Sequence, residues 1–160
     1  MLLKDLLLKD GNFFIAMEYH TLILNRTYLV IITKDFLLGL KVNDAVSVEG
    51  GHNLLTHAIT HAMSVRGDLN NPFSYVKNKY LVPLLEEDIN LDFILKNNKA
   101  NFKIYKRDIV SVTYDATKKW GMGNYPHDGK VYIQTADNKK REFIILAQQS
   151  GQAIADWISQ

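Results

Sequence analysis

The stretch Tyr28-Leu29-Val30-Ile31-Ile32-Thr33-Lys34-Asp35-Phe36-Leu37-Leu38-Gly39 decides the fold class of this chain. Tyr28 to Thr33 is a continuous run rich in β-branched and aromatic residues, Lys34-Asp35 is a tight polar break, and Phe36 to Val42 resumes apolar character. Such a run, break and run read as two strands joined by a turn. Upstream, Phe13, Ile15, Met17, Tyr19 and Thr21 alternate with Phe14, Ala16, Glu18 and His20, the period of a further strand. Asn25-Arg26-Thr27 reads as the polar break between them.

Further out the period changes. Leu2, Leu3, Leu6 and Leu7 repeat at helical spacing ahead of Gly11, which predicts a short docking helix over residues 2–9. Ala45 to Val48 reads as a short strand before Gly50-Gly51. Leu54, Leu55, Ala58, Ile59, Ala62 and Met63 share one helical face, and Asn70-Asn71-Pro72 opens a second helical piece from Phe73 to about Tyr80. A helical insertion over 52–80 follows. Ile89, Leu91, Phe93 and Leu95 alternate with Asn90, Asp92 and Ile94 and read as a strand, turning at Lys96-Asn97-Asn98-Lys99 into a shorter strand through Phe102 and Ile104. Ile109 to Tyr114 alternates again, and Val131 to Thr135 pairs with Glu142 to Leu146 across Asp137-Asn138-Lys139-Lys140. The last helix carries Ile154, Trp157 and Ile158 as an apolar stripe.

The 160 residues suit one domain, 1–160, with an ordinary 47% hydrophobic and 22% charged composition. Nineteen basic and 17 acidic side chains leave +2, too even a balance for the field of a dedicated nucleic-acid binder. The surplus sits in residues 101–160, which hold 9 basic and 6 acidic groups. With no cysteine, neither a disulfide framework nor a thiolate metal site is available, and a cytoplasmic location is the expectation. Lys4 and Asp5 interrupt the first apolar run, so no signal peptide is read, and no run reaches the ~20 apolar residues of a transmembrane segment.

Two stretches carry a resemblance. The Tyr28–Gly39 unit, and the run from Lys106-Arg107-Asp108-Ile109-Val110-Ser111-Val112 through Gly129-Lys130-Val131-Tyr132-Ile133 and Arg141-Glu142-Phe143-Ile144-Ile145-Leu146 to the Trp157 helix, resemble the pleckstrin-homology and GRAM-type superfold of small bacterial proteins. The resemblance implies an α+β fold: a bent, nearly closed antiparallel barrel plugged by a C-terminal amphipathic helix. It covers about two-thirds of the chain and leaves 52–80 as an insertion. Lipid-binding members cluster Lys and Arg around their first hairpin, whereas this chain offers only Arg26, Lys34 and Lys41 there, so inositol-lipid binding is not carried over.

The loop Thr117-Lys118-Lys119-Trp120-Gly121-Met122-Gly123-Asn124-Tyr125-Pro126-His127-Asp128-Gly129 is the most unusual segment. Lys118, Lys119, Trp120, Tyr125 and His127 combine cations, stacking surface and a turn-rich backbone, which suits a protein, peptide or lipid-headgroup ligand. The bland counterpart is that Trp120 and Tyr125 fold back on the barrel while the glycines shape the turn. His57 and His61, one helical turn apart, place two imidazoles for a metal-dependent enzyme, yet no third ligand or intervening Glu accompanies them. Lys103, Lys106, Arg107 and Lys130 with Lys139, Lys140 and Arg141 form a basic surface for peripheral membrane binding if their strands adjoin. Glu86, Glu87, Asp88 and Asp92 lack the ladder of a calcium loop, and Ser64, Ser111 and Ser150 lack a nucleophile elbow. The reading is therefore a non-enzymatic binding or interaction domain with no cofactor and no metal. Its partners are a protein, a lipid or a second copy in a homo-oligomer; nucleic acid is not expected.

Overall fold

The Thr33 turn is built by its own side chain. In the computed structural model, Thr33 Oγ1 accepts from the Phe36 N–H at 2.9 Å and donates to the Phe36 carbonyl at 2.7 Å. The chain reverses over Lys34 and Asp35, and β2 (Leu24–Ile32) pairs antiparallel with β3 (Phe36–Asn43) from Ile32 opposite Leu37 onward. The structure describes Leu6, residues 11–21, 24–43, Val76, residues 90–120, Met122 and residues 126–160. The expected helix over 2–9, strand over 45–48 and insertion over 52–80 lie outside the described residues, except that Leu6 packs against the core and Val76 is buried in it.

β1 (Phe13–Thr21) precedes this hairpin and pairs with β2, Phe13 opposite Ile31 and Tyr19 opposite Asn25. The expected break at Asn25-Arg26-Thr27 is corrected by this ladder: all three lie inside β2. Asn25 and Thr27 are buried, so the strand is continued by tertiary pairing against local polarity.

A second correction concerns Ile89 to Leu95. Residues Leu91–Asn97 form helix α1, opened by Asn90, whose side-chain oxygen accepts from the Asp92 N–H at 2.9 Å. Leu91, Ile94 and Leu95 also fit helical spacing, and these three pack on the core while Phe93 is 61% exposed. The cap decides between the two periods.

β4 (Phe102–Tyr105) follows, then a 3₁₀ turn (Lys106–Asp108), β5 (Ile109–Asp115), β6 (His127–Thr135), β7 (Lys140–Leu146) and helix α2 (Gly151–Ser159). The strand order is β4-β3-β2-β1-β7-β6-β5, antiparallel throughout. Among the described residues β4 and β5 are the outer strands, and the sheet curls into a half-barrel, in keeping with the bent α+β barrel expected. Its narrowest joint is β1–β7, where only Ala16 opposite Ile145 and Met17 opposite Ile144 pair. Gln149 extends that joint: its amide accepts from the Ile15 N–H at 2.8 Å and donates to the Ile15 carbonyl at 2.7 Å, standing in for a strand.

Alternation sorts the core into two clusters. Phe14, Tyr28, Val30, Leu37, Val131, Ile133, Phe143 and Ile145 lie with Ile154, Ala155 and Ile158 of α2. Ile15, Met17, Leu29, Ile31, Leu38, Leu40, Ile144 and Leu146 lie on the opposite face under Leu91, Val76 and Met122. Both faces of β1, β2 and β3 are thus buried, which is why Tyr28 to Ile32 is apolar without alternation. Gly39 belongs to this packing: the Phe102 ring occupies the space a Cβ would need. α2 begins at Ser150, whose hydroxyl accepts from the Ala153 N–H, and Trp157 is half-buried at the margin of the helix-side cluster.

Candidate functional site

The segment between β5 and β6 is fixed at several points along its length. At its start, Asp115 accepts from the Thr117 N–H at 2.8 Å and pairs with Lys130 Nζ at 2.8 Å across the β5–β6 ladder. These partners hold the Asp115 carboxyl down at about 2, and the same contact raises the Lys130 ammonium above its ordinary value. At its end, Gly129 takes a left-handed φ of 63° at the bulge where β6 begins, and a side chain there would strike the Asp115 carbonyl.

Lys119 fastens the middle. Its N–H donates to His127 Nε2 at 3.0 Å, its ammonium pairs with Glu142 of β7, and it lies 5.1 Å from the centre of the Tyr19 ring. The Tyr19 hydroxyl is pushed up, first by burial and then by the Glu142 charge. Met122 is buried in the cluster opposite α2. Between these two anchors Trp120 stands 95% exposed. The residues that fold back are Lys119 and Met122, so the bland expectation for Trp120 is reversed.

The other candidates divide accordingly. His127 is buried and accepts a backbone hydrogen bond at Nε2, Lys118 is exposed beside Trp120, and Tyr125 lies outside the described residues. His57 and His61 also lie outside them, and no cluster of three metal-binding side chains occurs among the described residues. No helix of the described residues is long and apolar enough to cross a membrane.

Each of the seven basic residues of that expected surface is engaged by a neighbour within the chain. Lys103 lies over the Phe36 and Tyr105 rings at 4.3 and 4.7 Å, and Arg107 over Tyr105 at 4.9 Å, on the β4 side of the sheet. Lys106 donates to the Trp157 carbonyl at 3.4 Å, and its ammonium is lowered by burial. In the β6–β7 turn Lys139 pairs with Asp137, and Arg141 of β7 pairs with Glu18 at 2.8 Å while stacking on the Phe102 ring of β4. Lys140 lies 4.4 Å from the Tyr132 ring centre. Acidic partners thus neutralise Lys119, Lys130, Lys139 and Arg141.

Sequence reasoning missed Glu142, Tyr19 and Tyr132. Cross-strand register puts Tyr132 opposite Glu142 and Gln134 opposite Lys140, so Tyr132, Glu142 and Lys140 share the sheet face that also carries Lys119. Tyr132 lies between buried Val131 and Ile133, and Glu142 precedes buried Phe143, the one signal that could have marked these two as residues of the other face. Compared with protein-family models, with curated proteins and with solved structures, the chain matches none of them.

Proposed function

We propose that this chain is a non-enzymatic recognition domain on a pleckstrin-homology-like frame, and that Trp120 is its anchor for a protein or peptide partner. The frame reading is supported by seven antiparallel strands followed by a C-terminal helix packed on one sheet face. The observation that carries the function is the 95% exposure of Trp120 between anchors at Lys119 and Met122. A large aromatic presented from a fixed base loses little freedom on binding and buries much area, the property that makes Trp a dominant interface residue. Neutralisation of Lys119, Lys130, Lys139 and Arg141 favours a protein partner over a purely electrostatic membrane surface.

The test places a photocrosslinking amino acid at position 120 in the source cell, with the exposed Gln152 of α2 as the control position. A discrete adduct at 120 is expected, competed away by excess unlabelled domain and not by Trp120→Ala. Identical adducts from both positions overturn the reading. Sedimentation of the purified domain with anionic vesicles but not neutral ones, lost in Trp120→Ala, assigns the loop to lipid instead.

A further inference from the structure

The turn that carries Trp120 is tied to the sheet through an imidazole. The Lys119 carbonyl accepts from the Met122 N–H at 3.4 Å, so Trp120 sits at the first bend of a turn from Lys119 to Met122. The N–H of the same Lys119 donates to His127 Nε2 at 3.0 Å. His127 itself is held by the sheet: it lies opposite Leu146 of β7, and the Pro126 carbonyl before it accepts from the Ala147 N–H at 2.8 Å. Its side chain is buried, so a conflict at Nε2 displaces the loop before the strand.

An imidazole nitrogen accepts a hydrogen bond only while the ring is neutral; with a second proton both nitrogens are donors. The Nε2 proton then meets the Lys119 N–H head to head, and a charge is added at a buried position. The carboxylates on the surrounding elements are already engaged. Glu142 of β7 pairs with the Lys119 ammonium, Asp128 accepts from the Tyr114 hydroxyl and the Gly151 N–H, and Asp115 pairs with Lys130. Tyr19 of β1, whose ring lies against the Lys119 ammonium, is pushed up by burial and the Glu142 charge and keeps its proton throughout.

We propose that His127 is a pH latch for the Trp120 turn, which it fixes while neutral and releases on protonation. The latch is closed at neutral and alkaline pH and opens as pH falls. Its use in regulation rests on Trp120 being the binding anchor: the closed form presents the indole already ordered, and the open form must order it on binding.

The full chain carrying Trp157→Phe is titrated from about pH 8 to about pH 5, the interval in which histidine changes charge, with His127 ring protonation followed by NMR. Protection of the Lys119 amide, corrected for intrinsic exchange, is expected to fall roughly tenfold, the effect of losing one hydrogen bond. The fluorescence anisotropy of Trp120 falls with it, and both follow the ring. His127→Gln offers an oxygen acceptor that does not titrate, and in a variant folded by circular dichroism it abolishes the response. Lys119 protection that holds constant down to about pH 5 overturns the latch. A midpoint that departs from that of the ring does the same, as does a response that persists in His127→Gln. The recognition reading fails separately: a titrating turn without a specific adduct at position 120 removes the anchor and leaves the latch, and a specific adduct on a pH-insensitive turn removes the latch alone.

Discussion

The sheet is built from two unlike halves. β1, β2 and β3 are buried on both faces, and their side chains serve almost wholly as core. β5 and β6 are covered by α2 on one side, while the other side carries Asp115, Lys130, Tyr132 and the pinned loop of Trp120. The first half stores stability and the second displays chemistry. A side chain in β1–β3 packs into one core cluster or the other on either face, whereas on the β5–β6 face away from α2 the side chains are held by polar partners such as the cross-strand pair Asp115 and Lys130.

The largest expected effect sharpens that division. Leu38→Ala, in the doubly buried half, is expected to cost about 2–5 kcal/mol in denaturant unfolding, against about 0.5 kcal/mol or less for Thr113→Ala on the open strand. Equal losses would erase the distinction between the halves.

The joint between them comes next. Gln149→Ala leaves the Ile15 N–H and carbonyl without their side-chain partners and is expected to cost about 1–3 kcal/mol. Hydrogen exchange at Ile15 should accelerate first. Unchanged protection there would show that Gln149 does not hold the joint.

The Asp115–Lys130 pair predicts a pH dependence confined to the open half. Asp115 is held at about 2 against an ordinary 3.8, so its contribution to stability is fully present above pH 3.8 and is lost as pH falls toward 2. Asp115→Asn should flatten part of the acid limb of the stability curve. Asp137, also held at about 2, keeps a further part. An acid limb identical to the wild type would remove the pair from the account.

Trp120→Ala carries the smallest structural effect, about 0.5 kcal/mol or less, because an exposed side chain away from core and caps contributes little to folding. A large loss of stability would mean that the indole packs on the sheet.

How much of this was legible in the sequence depended on whether the cause was local. The Thr33 turn and the strands around it could be read because a hydroxyl, two polar residues and apolar runs act within a few positions of one another. α1 was misread because Leu91 suits both alternation and helical spacing, and only the Asn90 cap separates them. Asn25 and Thr27 look like a turn in the sequence because their burial comes from pairing with β1 and, at Thr27, with β3. The unusual loop was visible as composition, with its lysines and Trp120. That Lys119 would close onto Glu142 was not, since it depends on the register of β6 with β7 some twenty residues away.

Trp120 is displayed to solvent between the anchors at Lys119 and Met122. Because the chain has two tryptophans, Trp157→Phe leaves Trp120 as the sole reporter. Its fluorescence should be that of a water-exposed indole, quenched by acrylamide nearly as readily as a free one. A blue-shifted emission shielded from quencher in the isolated domain would contradict the account.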